Sequence, residues 1–263
     1  MSNVAFLVVA WTTATAATQT MEWVYPITRC RIRPIRGTYL NAATVLGGGL
    51  LGLAVGNLLP SDYKTLAQAA IGIGTIAMGI RMFLGTGNSL IPILSLIVGG
   101  AIGHLIGIQA GLDALGGYAK DRLGAGGRFQ EAFVSSSVLF CVGPMTLLGC
   151  LEDGLRKKID LLAIKSLLDG VSSIFFAASL GPGVLLTVGT VLVVQMPLTL
   201  AASKLRPLAD RKEILNEVTS VGGLILMVIG LGLLELRSLP SADFLPGLLL
   251  AGYVASRIKP KSE

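Results

Sequence analysis

The sequence is poor in charge, histidine and cysteine for its length. Of 263 residues, 14% are charged, and there is one histidine, His104, and three cysteines. A water-soluble protein of this size needs a charged surface to stay dispersed, so the scarcity of charge argues against a soluble fold. A single histidine does not make a zinc site, and an odd number of cysteines, with Cys141 and Cys150 in apolar stretches, argues against a disulfide framework. We therefore expect neither a metal nor a cofactor.

Sequence motifs of catalysis are also missing. The chain has no phosphate-binding Gly-Lys-Ser/Thr loop, no nucleophile elbow and no dinucleotide fingerprint. We therefore predict no catalytic residues and no enzymatic activity. The formal net charge of +6 does not indicate nucleic-acid binding, because no basic helix with interleaved aromatic residues is present. The basic residues instead lie in short loops, where they set the orientation of membrane helices.

In place of charged residues, the sequence is rich in apolar residues and glycine. Hydrophobic residues make up 52% of the chain and there are 34 glycines, a mixture typical of helices packed in lipid. The sequence predicts an all-α, polytopic integral membrane helix bundle with about eight core transmembrane helices, each long enough for about 30 Å of hydrocarbon. The predicted spans are 38–59, 66–85, 89–108, 132–151, 159–180, 183–203, 216–235 and 241–257, with 109–130 as a loop.

The predicted domain organisation places one transmembrane domain, 37–258, between two short ends. Residues 1–36 form an N-terminal extension that carries Arg29, Arg31, Arg33 and Arg36, and residues 259–263 form a cytoplasmic tail. The arginines are read either as a patch for anionic lipid or, in the favoured interpretation, as a positive-inside anchor. Residues 1–20 are either an additional helix or a stretch upstream of a start at Met21. Counting basic residues in the loops puts both ends of the core in the cytoplasm.

An internal repeat is indicated by matching residues in distant spans. Thr44-Val45-Leu46 recurs as Thr190-Val191-Leu192, and Gly72 and Gly79 match Gly223 and Gly230. Ser136-Ser137 to Gly143-Pro144 recurs as Ser172-Ser173 to Gly181-Pro182. Matched spans are one or five apart, so each pair crosses the membrane in opposite senses. This is the pattern of an inverted repeat, which in transporters supports two access states around a midplane site.

Asp169 and Lys165 are the candidate charge-bearing residues. Asp169 lies about 15 Å into its predicted span, close to the midplane, and Lys165 lies one helical turn earlier on the same face. Ionisable residues at this depth are expensive and mark functional sites. Two interpretations stay open, namely a proton- or cation-responsive site and a structural pair that ties helices together.

Polar residues and one helix break complete the predicted transport site. Gly143-Pro144 interrupts a span, and broken helices within the bilayer line cavities, since freed carbonyls need partners or water. The residues predicted to line the pathway with Asp169 and Lys165 are Asn41, Ser136, Ser137, Ser172, Ser173 and Gln195. For Asn41 and Gln195, ordinary hydrogen bonding between helices is the alternative.

Four stretches resemble a known bacterial family. They are GTYLNAATVLGGGLLGLAVGNLLP, LFCVGPMTLLGCLEDGL, KSLLDGVSSIFFAASLGPGV and EVTSVGGLILMVIGLGLLE, in residues 37–60, 139–155, 165–184 and 217–235. The resemblance is to domain-of-unknown-function family 554 (DUF554) and covers about residues 37–257. It implies a multi-pass protein of the bacterial inner membrane, often described as a transporter candidate, with no established substrate. Residues 1–36 extend beyond the family pattern, and His104 stands where the family tends to carry an acidic residue.

These observations lead to one expected function and one alternative. We expect a transporter or channel for a small solute or ion, with a pathway between the first, fourth, fifth and sixth spans. The alternative is a non-transporting membrane scaffold that binds a partner subunit. The expected partners are membrane lipids and a small solute or ion, with a homo-oligomer left open and no nucleic acid.

Overall fold

The computed structural model describes residues 35–257 apart from residues 125, 127 and 210. Residues 1–34 of the predicted extension, with three of its four arginines, lie outside the described residues, as do residue 258 and the predicted tail at 259–263. Those described form helices and no strand. The helices are α1 (Arg36–Leu58), α2 (Ser61–Phe83), α3 (Leu90–Ile106), α4 (Ile108–Leu123), α5 (Phe129–Cys141), α6 (Pro144–Arg156), α7 (Asp160–Leu180), α8 (Gly183–Leu200), α9 (Ala202–Ala209), α10 (Lys212–Leu233) and α11 (Pro246–Arg257), with a 3-10 turn at Ser241–Phe244.

The lengths of the helices confirm a polytopic membrane protein. Within the described residues, α1, α2, α7, α8 and α10 are long and apolar enough to cross a bilayer, and two bent pairs raise the number to as many as seven. The pairs are α3 with α4, bent by 51°, and α5 with α6, bent by 59°. The predicted number of eight is not confirmed, because α11 has 12 residues and extends about 18 Å, less than the thickness of the hydrocarbon core.

The prediction of a loop at 109–130 is wrong for about the first two-thirds of that stretch. Residues 108–123 form α4, which begins directly after Gly107 and ends at Gly124. Both glycines adopt the left-handed conformation, with φ of 76° and 57°, which glycine tolerates without steric cost. Because Gly107 is the only residue between α3 and α4, the chain turns sharply there and α4 leaves the direction of α3.

Helices α1 and α7 meet along a line of glycines on α1. A Cβ atom added at Gly48 would lie 2.1 Å from the carbonyl oxygen of Gly170, and one added at Gly52 would lie 2.2 Å from that of Ile174. Residue numbers rise together along both helices, so α1 and α7 run parallel. Small residues at a four-residue spacing allow this close approach of two backbones.

Two further pairs of helices make close antiparallel contacts. On α2 and α10, an added Cβ at Gly79 would lie 2.5 Å from the oxygen of Gly223, and one at Gly230 would lie 2.8 Å from that of Gly72. On α3, an added Cβ at Gly103 would lie 1.9 Å from the oxygen of Asp243, just before α11. Backbone contact therefore fixes the register of both pairs.

A polar side chain near the start of each of the helices α2 and α10 forms hydrogen bonds with the chain at the end of the other helix. Glu217, near the start of α10, accepts hydrogen bonds from Thr86 Oγ1 at 2.7 Å and from the backbone N–H of Gly87 at 2.9 Å, after the end of α2. Gln68, near the start of α2, donates from Nε2 to the carbonyl oxygen of Leu233 at 2.7 Å, at the end of α10. Each contact satisfies backbone groups that a helix end or turn would leave without a partner.

The apolar core lies where α1, α5, α7, α8 and α10 meet. It includes Val45 of α1, Phe140 of α5 and Phe176 of α7, the two aromatic rings packing edge to face with centroids 6.3 Å apart. Large apolar side chains such as Leu51 and Val193 are exposed on the outer faces of α1 and α8. In a bilayer these outer faces contact lipid, so the helices do not need a polar side.

Candidate functional site

Helix α7 places Asp169 at the centre of the bundle. Asp169 is the tenth of 21 residues in α7, which confirms the predicted depth within the helix. Lys165 Nζ donates a hydrogen bond to Asp169 Oδ2 across one helical turn, and both side chains are almost completely buried. The pair forms because residues four apart on a helix lie on one face, as the sequence predicted.

Asn41 of α1 is the third member of this cluster. Its Nδ2 donates to Asp169 Oδ2 at 3.0 Å, so one carboxylate oxygen receives both an ammonium and an amide. Asn41 reaches α7 because the glycines of α1 let the two backbones approach. Asn41 Oδ1 is buried and has no hydrogen-bond partner among the described residues, so within them the amide is satisfied on one side only. Removing either charged partner would leave an uncompensated charge in the interior, so the pair holds this position only as a unit.

The predicted serines divide between two places. Ser136 and Ser137 of α5 are buried against α8, where Ser136 Oγ lies 2.6 Å from Thr187 Oγ1 and Ser137 Oγ lies 3.1 Å from Thr190 Oγ1. Ser173 Oγ donates back to the carbonyl oxygen of Asp169 at 2.7 Å. Hydroxyls therefore join α5 to α8 at the interface that corresponds, in the proposed repeat, to that of α7 with α1.

Ser172 differs from the other three predicted serines in its burial. It is half-buried beside Ser173 on α7, whereas Ser136, Ser137 and Ser173 are buried. Adjacent residues on a helix point about 100° apart, so Ser172 and Ser173 do not share a face. Ser172 is consequently the weakest member of the predicted set.

The break at Gly143-Pro144 separates α5 from α6. Gly143 has φ 145° and ψ 154°, a conformation essentially restricted to glycine, and Pro144 is the first residue of α6. Thr146 Oγ1 donates to the carbonyl oxygen of Phe140 at 3.2 Å and satisfies one acceptor that the break releases. Gly181, before Pro182, has a similar conformation, with φ 101° and ψ −162°. The predicted helix break is thus confirmed, in a half-buried position between the two helices of a bent pair.

Gln195 lies on the buried face of α8. This face includes Val184, Thr187, Val191 and Thr199, all buried, with Gln195 itself 0% exposed. In the part of the chain that the structure describes, neither Nε2 nor Oε1 of Gln195 has a hydrogen-bond partner. Buried amides in a membrane protein are ordinarily paired, because no water is available in the hydrocarbon region. Gln195 is therefore an unsatisfied polar group in the interior, close to the helices that carry Asn41 and Asp169.

Two further buried polar residues were not predicted from the sequence. Thr38, one turn before Asn41 on α1, is 0% exposed, and its Oγ1 has no hydrogen-bond partner within residues 35–257 as described. Asp153 of α6 is also buried and accepts a hydrogen bond of 3.0 Å from the backbone N–H of Gly37, at the start of α1. A threonine in an apolar helix gives no distinctive signal, whereas the acidic pair Glu152-Asp153 in an otherwise apolar stretch did offer one.

Comparison with known proteins agrees with this architecture. The family described as "Protein of unknown function (DUF554)" matches residues 36–256. The chain belongs to this family. The DUF554 match spans α1 to α11 almost completely, so Asp169, Lys165, Asn41 and Gln195 all lie within the family's own domain.

Two relatives of the DUF554 chain extend the comparison. "Uncharacterized protein YqgA" of Escherichia coli (strain K12) is 28% identical over 221 residues, which are 82% of this chain and 94% of the relative. "Uncharacterized membrane protein YdfK" of Bacillus subtilis (strain 168) is 27% identical over 223 residues, 83% of this chain and 94% of the relative. No solved structure matches the chain. The name of the second relative agrees with the membrane-spanning helices described above.

Proposed function

We propose that this DUF554 protein is a transporter or channel that carries a small solute or ion past Asp169. The observation that carries the proposal is the cluster of Lys165, Asp169 and Asn41, buried at the middle of a spanning helix. Charges at this depth cost several kcal/mol and are retained in membrane proteins chiefly along substrate and ion pathways. The pathway runs between α1, α5–α6, α7 and α8, where the buried hydroxyls and amides lie. No catalytic role is assigned to any of these residues.

An inverted repeat is part of this proposal. In the predicted repeat, Gly72 corresponds to Gly223, and Gly79 corresponds to Gly230. If a two-fold axis between α2 and α10 relates the two halves, a contact of Gly72 with Gly230 implies a second contact, of Gly223 with Gly79. These are the contacts that the two helices make. The hydrogen bonds from Gln68 Nε2 to the carbonyl oxygen of Leu233 and from Ser220 Oγ to that of Met82 follow nearly the same symmetry. Two inverted halves provide two conformations of similar energy, as alternating access requires.

In the proposed topology the protein lies in the bacterial inner membrane, with both ends of its core on the cytoplasmic side. Basic residues support this orientation, since Arg156 ends α6 and Lys157 and Lys158 follow it on the same side. It requires an even number of crossings, so Ser241–Arg257 would act as the eighth. The close antiparallel contact of this segment with α3 supports that role.

Reporter fusions test the topology and the inversion together. We expect a green fluorescent protein fused after Gly85 or after Arg257 to fluoresce, because both ends lie in the cytoplasm. A fusion after Leu236 should be dark but active with alkaline phosphatase, because the corresponding end of α10 faces the opposite side. The same reporter response after Gly85 and after Leu236 would contradict the inverted relation of α2 and α10.

Flux measurements test the transport function. Proteoliposomes of the full chain are challenged with NaCl, KCl, urea or glycerol, and solute entry is followed by stopped-flow light scattering and by internal ion and pH dyes. We expect Asp169→Asn to lower the flux of the transported species by at least about tenfold, because the neutral amide removes the charge that the pathway uses. Asp160→Asn, at the exposed start of the same helix, is the matched control and should equal the wild type.

Two outcomes would contradict this assignment. Equal flux through the wild type and Asp169→Asn would show that the carboxylate has no part in the pathway. Flux no higher than that of protein-free liposomes for every solute would contradict transport of these classes, and co-purification of a stoichiometric membrane partner would then favour the scaffold.

A further inference from the structure

Three buried residues, Thr38 and Asn41 on α1 and Gln195 on α8, form a polar layer. Each is 0% exposed, and Thr38 Oγ1, Asn41 Oδ1 and both amide atoms of Gln195 have no hydrogen-bond partner among the described residues. Ser179 Oγ also lacks one there, but this half-buried residue lies near the opposite end of α7. Burying polar atoms without a partner inside a membrane protein costs free energy. The polar layer therefore indicates contact with water in another conformation.

Helix α6 contacts both helices of the polar layer at the same end of the bundle. Asp153 Oδ2 accepts a hydrogen bond of 3.0 Å from the backbone N–H of Gly37, at the start of α1. The adjacent Gly154 lies so close to the carbonyl oxygen of Thr199, near the end of α8, that a Cβ would not fit. Gly37 and Thr199 are each within about one helical turn of the polar layer. In the proposed topology this end faces the cytoplasm.

On the other side of Asp169, contacts between the backbones of α1 and α7 close the bundle. A Cβ added at Gly48, Gly52 or Gly56 of α1 would overlap the backbone of α7. All three glycines lie farther from the start of α1 than Asn41, which bonds Asp169. Backbone atoms do not move aside by changing rotamer, so access to Asp169 from this side requires α1 and α7 to separate.

On the cytoplasmic side, α6 and one leucine cover the polar layer. The buried side chain of Leu162 occupies the space beside Gly37 and Gly149, where a Cβ at either glycine would overlap it. Helix α6 has 13 residues, and two residues join it to α5 at a bend of 59°. One of them, Gly143, has φ 145° and ψ 154°, which other residues rarely adopt. A short helix on such a joint is able to swing while α1 and α7 stay together.

We propose that α6 is a lid that swings about Gly143 and admits water from the cytoplasm to the polar layer. With the lid closed, Asp153 satisfies a backbone N–H that has no acceptor within α1, whereas the polar layer stays unpaired within the described residues. With the lid open, water satisfies the polar layer, and the hydrogen bond of Asp153 is lost. Each conformation thus satisfies groups that the other does not, which keeps the two close in free energy. This inference rests on the proposed function and topology, and names the side from which Asp169 is reached.

Cysteine labelling in membrane vesicles tests the lid. In a chain without native thiols (Cys30→Ala/Cys141→Ala/Cys150→Ala), Gln195→Cys reports on the polar layer. Val191→Cys, one turn away on the same buried face of α8, is the matched control. Inverted vesicles and spheroplasts receive the membrane-impermeant reagent 2-(trimethylammonium)ethyl methanethiosulfonate. In inverted vesicles we expect Gln195→Cys to react at least about tenfold faster than Val191→Cys, because the reactive thiolate forms in water and not in an apolar core. In spheroplasts neither should react.

The hydrogen bond of Asp153 provides a test of α6 itself. Asp153→Ala should raise the labelling rate of Gln195→Cys about tenfold, because a hydrogen bond to a charged acceptor contributes enough free energy to shift an opening equilibrium by that factor. Asp153→Asn keeps an acceptor oxygen and should raise the rate less. Glu213→Ala, at the exposed start of α10 on the same side of the membrane, is the control and should leave the rate unchanged.

A stability measurement on Gln195→Met does not depend on labelling at that position. Methionine is of similar length and removes the unpartnered amide, so the thermal unfolding temperature should equal or exceed that of the wild type. The same substitution should slow the labelling of Thr38→Cys, because an apolar side chain favours the closed lid. A clearly lower unfolding temperature would show that the amide has a partner in the folded chain, and would overturn the proposal.

The labelling outcomes separate the lid from the transport function. Equal reaction of Gln195→Cys and Val191→Cys in inverted vesicles would mean a dry polar layer, and faster reaction of Gln195→Cys in spheroplasts would mean access from the other side. Either result overturns the proposal, as does an unchanged rate in Asp153→Ala. Labelling as expected without flux of any solute would refute only transport. Asp169-dependent flux with an unlabelled polar layer would refute only the lid.

Discussion

Gly48→Leu is expected to abolish assembly of the bundle. The first atom of the new side chain would lie 2.1 Å from the carbonyl oxygen of Gly170, which is backbone and does not move aside by changing rotamer. Overpacking in cores costs about 1–3 kcal/mol when side chains can adapt, and a clash with backbone costs more. Separation of α1 from α7 would also remove Asn41 from Asp169. The fraction of protein that elutes as a monodisperse peak in fluorescence-detected size-exclusion chromatography measures the effect.

Gly47→Leu is the matched control for this prediction. The two positions are adjacent in α1 and share backbone geometry, but a Cβ at Gly47 would meet nothing within 4 Å. Its side chain would point away from α7 and add apolar surface where the helix contacts lipid. We expect a normal elution profile and an unfolding temperature close to that of the wild type. Equal loss of folded protein in both variants would mean that the glycines act through backbone flexibility and not through close packing.

Local patterns account for the parts of the site that the sequence predicted. Lys165 and Asp169 meet because a spacing of four residues is enough to bring side chains together on any helix. The break at Gly143-Pro144 follows from the chemistry of proline alone. The five long apolar helices α1, α2, α7, α8 and α10, with their approximate limits, follow from hydrophobicity, which a bilayer imposes directly on each span. These features need no knowledge of which helices are neighbours.

Contacts between distant segments were predictable only in part. Asn41 was a candidate because it is polar in an apolar helix, yet its partner Asp169 lies 128 residues away. Its identification depends on the glycine contact of α1 with α7. Ser136 was grouped with Asp169, but its partner is Thr187 on α8. Helix neighbours in a membrane depend on small-residue packing, which many glycine-rich helices share, so sequence alone leaves the pairing open.

The error at α4 has a different cause. Residues 108–123 contain Lys120, Asp121 and Arg122 within four positions, which favoured a loop outside the membrane. The structure shows that the same residues end a helix that joins α3 at a bend of 51°. Charge at the end of a helix is compatible with a bilayer, because long basic side chains reach the interface. A count of charges along the chain does not distinguish such an end from a loop.

A double-mutant cycle on the buried pair is expected to separate stability from function. Lys165→Met leaves the Asp169 carboxylate buried without its counter-ion, and Asp169→Leu leaves the ammonium in the same position. Removing one partner of a buried ion pair typically costs about 3–5 kcal/mol, whereas replacing both with apolar residues is often neutral or stabilising. We therefore expect both single variants to be strongly destabilised. The double variant should return to within about 1 kcal/mol of the wild type, the remainder reflecting the acceptor that Asn41 loses.

Flux is measured on the same four proteins as stability, namely the wild type, the two single variants and the double variant, so that the two properties can be compared. Thermal unfolding of each purified variant gives the stability, and proteoliposomes give the transport. If the pair were only structural, the double variant would recover transport together with stability. We expect it to recover stability alone, because no charged group is left at the centre of α7 to interact with the transported solute or ion. A stable double variant with wild-type flux would contradict the pathway through Asp169, since the charge pair would then serve only to hold α1 against α7.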